Sequence, residues 1–288
     1  MSFLKRFIKA AALFVCAAML LSALAVFPFA DDGEIPPCEE HTWGDWVVDT
    51  PATYWDEGKA TRKCEVCSAS EDMILDKLSN PFKDVNLSRW YAHPVMFCYD
   101  SGYMVGVSET RFSLSDPVSR AMIVQIMARL ANADLKLPEY NVSNFSDVAV
   151  GKWYTRAVEW ARVNNMANGT GGGKFSPNAS ITRQELAVFL FKLAEFVKGE
   201  TPEFDTASVA EYRDINELAS WANKAMSWAI GCGIMHGTTP YHLSPRITLT
   251  RAQVAEIVFS VDSFLNPPEP EEPEEPEEPQ EPEEPQEP

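Results

Sequence analysis

Four thiol and imidazole side chains are grouped early in the chain, as Cys38-x2-His41 and Cys64-x2-Cys67. Three thiolates and one imidazole form a tetrahedral zinc set, and ligands spaced two residues apart are the usual way to present one. Four protein ligands close the coordination sphere, so zinc here would be structural rather than catalytic. Two other readings stand beside zinc. Export to an oxidising compartment favours a disulfide, which would leave one of the three thiols unpaired. The stretch can also be an unstructured linker. Trp43, Trp46, Tyr54 and Trp55 offer apolar cover to a segment too short to build a core alone.

A second constellation occurs three times. The copies are Asp84, Trp90, Gly106 and Arg120; Asp147, Trp153, Gly169 and Arg183; and Asp214, Trp221, Gly237 and Arg251. Gly, an apolar residue (Phe112, Phe175 or Leu243) and Arg follow each Trp by 16, 22 and 30 residues in every copy. An aromatic residue, Phe82, Phe145 or Tyr212, stands two places before each Asp, and the Asp–Trp spacing is 6, 6 and 7. A cation, an acceptor, an aromatic face and a Gly-bearing loop are what an acidic sugar needs. Arg pairs carboxylates bidentately through its planar fork, and the ring stacks on the sugar. Plainer readings exist for each residue: core packing for Trp, capping or a turn for Asp, and a surface salt bridge for Arg. The Arg stands in the first turn of a helix, where the dipole disfavours a cation. The sequence therefore places it off the buried face and available to a ligand.

The run Phe-x-Asp, Trp-Tyr, Gly, Phe-x-Pro and Ile-Thr-Arg-x-Glu resembles the S-layer homology family over roughly residues 80–265. The second copy is nearly complete. The first has Ser119-Arg120-Ala121-Met122 with no Glu, and the third has Thr250-Arg251-Ala252-Gln253. The resemblance implies a pseudo-threefold bundle of three repeats with grooves between neighbours. It also implies non-covalent binding to an anionic, pyruvylated secondary cell-wall polysaccharide attached to peptidoglycan. The Asp, Trp, Gly and Arg of each copy are then the expected glycan-binding residues.

The elements that would position these residues read as helix, loop, helix. Thr182 and Glu185 form a capping box, with an apolar face at Leu186, Phe189, Leu190, Leu193 and Val197. The spacing predicts helices over 90–99 and from 117 or 120 to 130, then 153–163 and one starting at 183, then about 221–230 and 251–264. Phe97, Trp160 and Trp228 are expected in the core. The linkers 133–144 and 198–210 have room for short extra turns. Cys98 and Cys232 read as buried thiols, with a disulfide between them as the alternative.

Residues 1–30 read as a secretory signal, basic at Lys5, Arg6 and Lys9 and apolar from Ala10 to Val26, with cleavage after Ala25 or Ala30. An uncleaved membrane anchor is the alternative. The net charge is −18, but residues 267–288 hold 11 Glu and no cation, leaving −7 elsewhere. No basic patch of the kind nucleic acid requires is visible. The Pro/Glu tail has no apolar residue but Pro, so it is expected to be disordered and extended.

The expected organisation is mainly α-helical. It runs as a signal (1–30), a small Cys/His module (31–78), repeats at 79–137, 142–200 and 208–265, and a tail (266–288). No Ser/His/Asp constellation is present, and His93, His236 and His242 are scattered, so the protein is expected not to be an enzyme. The repeats are expected to need no cofactor. The function expected is cell-surface anchoring to wall glycan. A protein-interaction scaffold, or a wall hydrolase with an unseen site, is the alternative.

Overall fold

The computed structural model describes Cys38, residues 40–67 and residues 69–267. The expected signal (1–30) and almost all of the tail lie outside the described residues. The chain divides into two compact units, one holding residues up to 51 and 57–76, the other 52–56 and 77 onward.

The first unit is a three-stranded antiparallel sheet, β1 (Val47–Thr50), β2 (Gly58–Lys63) and β3 (Ser70–Leu75), in the order β1-β2-β3. Of its apolar side chains among the described residues, only Ala60 and Cys64 are buried. Aliphatic burial alone is therefore too small to hold it. The Arg62 guanidinium lies over both the Trp43 and Trp46 rings, at 4.8 and 4.7 Å, and pairs with Glu71 at 2.6 Å. Tyr54 and Trp55, expected as cover for this module, belong instead to the second unit. There Trp55 stacks on His93 at 3.6 Å and donates to the Leu87 carbonyl, and the Tyr54 hydroxyl donates to Asp100.

The second unit holds helices α1 (Ala92–Asp100), α2 (Arg120–Leu130), α3 (Thr155–Val163), α4 (Arg183–Lys198), α5 (Ala207–Ala210), α6 (Asn223–Gly231) and α7 (Arg251–Leu265). Thr182 caps α4 and Thr250 caps α7 in full capping boxes, closed by Glu185 and Gln253. Ser119 caps α2 alone, accepting from the Met122 amide, because Met122 has nothing to return. Gly199 ends α4 in the left-handed conformation, φ 74°, where a side chain is disfavoured. Short turns fill both linkers, Pro138–Tyr140 and α5. The extra residue of the third copy falls between Asp214 and Trp221, where the 3-10 turn Ile215–Glu217 leads to a second, Ser220–Ala222, that holds Trp221.

Helix pairing runs chiefly between consecutive segments: α2 with α3, α4 with α6, and α7 back to α1. Each pairing joins the second helix of one copy to the first of the next. Backbone bonds make the same circuit. Val118 donates to Leu249, Leu249 to Ile181, and Ile181 to Val118. Phe112, Phe175, Leu186, Leu190, Leu193, Met127 and Trp228 are fully buried in the shared core, each contributing about 1.5–3 kcal/mol. Trp160 is buried as expected, and Phe97 is half-buried against Phe259. Cys98 is buried and bonds the Ala255 carbonyl, but Cys232 is exposed, because α6 has just ended; both thiols are free. No helix among the described residues is long and apolar enough to cross a membrane.

Candidate functional site

The three Asp side chains have the same task. Asp84 accepts from the Phe112 and Ser113 amides at 2.9 and 2.7 Å, Asp147 from Phe175 and Ser176 at 2.8 Å each, and Asp214 from Leu243 and Ser244 at 2.8 and 2.7 Å. The clamp holds Ser113, Ser176 and Ser244 at φ 64, 59 and 50°, a left-handed turn that Ser tolerates only when its surroundings fix it. Burial pulls the Asp147 and Asp214 carboxyls up. The two loop amides on each more than offset this, and both pKa values lie below the ordinary carboxylate value. Gly106, Gly169 and Gly237 lie against the loop opposite. A Cβ at each would stand within 3.0 Å of the Phe82, Phe145 or Tyr212 ring and within 2.6 Å of a loop carbonyl. These glycines are there for room.

The arginines depart from expectation. Arg120, Arg183 and Arg251 are only 5, 6 and 7% exposed. Each reaches sideways into the loop of the following copy. Arg120 donates Nε to the Phe175 carbonyl at 3.0 Å and a terminal nitrogen to Asn168 at 3.5 Å. Arg183 does the same to Leu243, at 3.0 Å, and to His236. Arg251 returns to the first copy, bonding Phe112 at 2.8 Å and Val105 at 2.5 Å. The helix dipole is overridden because another segment's carbonyls surround the cation. Burial lowers all three guanidinium pKa values, though an Arg stays protonated in any case. Only Arg120 gains a carboxylate among the described residues, Glu185 at 3.1 Å. The residues that correspond to Glu185 in the third and first copies are Gln253 and Met122, neither of which carries a charge.

What remains presented outward is the tryptophan. Trp90, Trp153 and Trp221 are 61, 60 and 58% exposed, each just ahead of its helix. Trp153 lines a cleft of about 490 Å³ together with Tyr103, Gly106, Met122, Gln125, Arg129 and Arg251. Gly106, Trp153 and Arg251, each from a different copy, are thus brought together. Asp147 and Arg183 are not part of this cleft.

Arg129 was missed by sequence reading. It lies nine residues after the motif Arg, donates to the Tyr103 carbonyl at 2.9 Å, and has its pKa lowered by burial. The signal was faint. The same position holds Lys192 in the second copy, which is also a cation, and Ser260 in the third.

In the first unit, Cys38, His41, Cys64 and Cys67 place their ligand atoms within 4.8 Å of one another. The Cys38 and Cys64 sulfurs are 3.9 Å apart, and Cys67 Sγ is 3.3 Å from His41 Nδ1. A disulfide needs about 2.05 Å between sulfurs. Bonds of about 2.0–2.3 Å to a tetrahedral metal give ligand–ligand edges near the observed values. The Cys67 amide and neighbouring donors pull the Cys64 thiol down to about 6, while burial pushes the Cys38 thiol up to about 11. The group can hold a metal ion.

The family model described as the S-layer homology domain matches residues 144–187 and 211–255. These stretches hold the second and third Asp–Arg sets. An S-layer protein of Bacillus thuringiensis subsp. finitimus is 27% identical over 184 residues, 63% of this chain and 21% of its own length. A cellulosome-anchoring protein of Acetivibrio thermocellus is 26% identical over 157 residues, 54% of this chain and 34% of its own. An endoglucanase of Bacillus sp. (strain KSM-635) is 26% identical over 180 residues, 62% of this chain and 18% of its own. The chain thus spans well under half the length of these relatives. The family model thus matches the second and third copies of the motif.

Proposed function

We propose that the second unit holds the protein non-covalently to the bacterial cell wall, on the outside of the cell, through the cleft of Trp153 and Arg129. In this reading residues 79–137, 142–200 and 208–265 are three S-layer homology repeats in one pseudo-threefold bundle. The first copy counts because its Asp84 clamp and its bonds from Arg251 repeat the other two, despite its missing Glu. The ligand is an anionic, pyruvylated wall polysaccharide. The observation that carries the reading is the division of labour within the motif. Asp, Gly and Arg are engaged internally, whereas Trp is exposed in every copy. Trp153 offers a stacking face and Arg129 a carboxylate fork across one cleft. The names of the S-layer and cellulosome-anchoring relatives point the same way. We read the role as binding rather than catalysis, and the endoglucanase's activity is not carried over from a match to 18% of it.

In the Cys/His unit we read a structural zinc held by Cys38, His41, Cys64 and Cys67. It would supply cross-linking that the small sheet lacks. Cosedimentation with purified walls, before and after removal of the non-peptidoglycan polymer, tests the anchoring. Binding that disappears with the polymer supports it, and binding that persists unchanged overturns it.

A further inference from the structure

His41 is the exposed member of the Cys/His group, whereas Cys64 is buried and Cys38 and Cys67 are half-buried. Its Nδ1 faces Cys67 Sγ at 3.3 Å. A metal-binding imidazole is ordinarily oriented by a carboxylate or carbonyl that accepts from its second ring nitrogen. Among the described residues, no such acceptor meets Nε2. What lies against the ring is Trp43, with centroids 4.9 Å apart and planes at 48°.

Trp43 is itself held from two sides. Its backbone forms an antiparallel bridge with Cys64. The Gly44 amide donates to the Lys63 carbonyl at 3.0 Å and the Glu65 amide to the Thr42 carbonyl at 2.9 Å, one on each side of that bridge. Its ring carries the Arg62 guanidinium at 4.8 Å, and the same guanidinium lies 4.7 Å from the Trp46 ring. Arg62 is fixed in turn by Glu71, its register partner on β3, whose Oε2 accepts from Nε at 2.7 Å. Side chains alternate along a strand, so Arg62 and Cys64 share a face of the ladder. A run of contacts from Glu71 through Arg62 and Trp43 therefore ends on His41, whose ligand atom is within 4.8 Å of the Cys64 sulfur.

We infer that Arg62, acting through Trp43, is a positioning residue for the metal site and sets the His41 ring in the orientation from which Nδ1 completes the ligand set. An exposed imidazole that rotates freely loses that freedom on binding, and a ring already held loses less. Arg suits the task because its planar guanidinium stacks on aromatic faces while its N–H groups pair a carboxylate, which the point charge of Lys does less well. The inference rests on the zinc reading of this unit and adds what orients its nitrogen ligand.

The test uses the full chain, with zinc affinity measured by competition against a chelating indicator and cobalt(II) as the spectroscopic probe. Arg62→Met is expected to weaken zinc binding about ten- to hundredfold. With cobalt saturating, its d–d bands should move toward those of His41→Ala, while the thiolate-to-cobalt charge-transfer absorption keeps the parent's intensity. Arg62→Lys should recover part of both losses. Lys59→Met removes the 2.8 Å ion pair with Asp72 from the same two strands and should leave the metal site as in the parent. Unchanged zinc affinity in Arg62→Met overturns the inference. So does weaker affinity with the parent's d–d bands, or an equal loss in Lys59→Met, because Arg62 would then only stabilise the sheet. If Arg62→Met takes up no cobalt, Trp43→Phe decides: its smaller ring should shift the d–d bands in the same direction, and the parent's bands there overturn the inference. A parent chain that binds neither metal overturns the zinc reading itself, and the inference with it.

Discussion

At the scale of single residues, the structure separates side chains that build the unit from side chains that remain free to meet a ligand. Arg183 is on the building side. Its removal would leave the buried Leu243 carbonyl without a donor, at about 1–3 kcal/mol, and would free the partly buried His236 carbonyl and the space the side chain fills. Arg183→Ala is therefore expected to lower stability by about 2–4 kcal/mol, or roughly 5–10 °C in Tm. A melt within 1 °C of the parent would mean the Arg is not part of the fold. Trp153→Ala should do the reverse, melting close to the parent because the ring is mostly exposed, yet weakening wall binding about tenfold, or 1.4 kcal/mol. The Asp clamps give a pH prediction. A carboxyl held below its ordinary pKa of about 3.9 stabilises the fold fully above that value, and the contribution drains away as pH falls through the folded pKa. Stability should therefore fall on acidification below about pH 4. Asp147→Asn, followed by thermal melts across that range, should flatten the fall.

At the scale of elements, the three helix starts form a natural series. Helix α4 has a capping box whose Glu185 also pairs with Arg120 of the preceding copy. Helix α7 has a box closed by Gln253, and α2 has the Ser119 cap alone. Met122→Glu should complete the box at α2 and place a carboxylate near Arg251, as Glu185 lies near Arg120. A gain of about 0.5–1.5 kcal/mol is expected. Because Met122 also lines the cleft, the new charge should weaken binding of an anionic polymer. A variant that melts higher and binds walls less would support both assignments, whereas tighter binding would contradict the anionic ligand. The helices, their caps and the linker turns were legible in the sequence because capping and 3.6-residue periodicity are local. The partner of each Arg was not. Spacing along one copy says nothing of the neighbouring copy's carbonyls, so a buried cation looked like an exposed one. Arg129 escaped for another reason: its position varies from Arg to Lys to Ser, and a search for what recurs passes over it. The strands of the Cys/His unit escaped because Gly58–Lys63 is short and largely polar, with little alternation to mark it.

At the scale of the molecule, two units rest on different sources of stability. The second closes a circuit of helix pairs, backbone bonds and arginines over a continuous apolar core. The first has four converging ligand atoms in place of such a core. Purified full chain is expected to carry about one zinc. Chelation should abolish amide protection in β1–β3 while leaving α4 and α7 protected, read by hydrogen exchange. A disulfide found by mass spectrometry, with no metal by elemental analysis, would contradict the zinc reading.

If Trp153 and Arg129 meet the wall while the motif arginines hold the fold, Arg129→Gln should lose wall affinity without losing stability. Affinity for purified wall polymer, measured beside a thermal melt for Arg129→Gln and the parent, is expected to fall at least tenfold, about 1.4 kcal/mol, with the melt unchanged. Undiminished affinity in a normally folded Arg129→Gln protein would contradict that assignment.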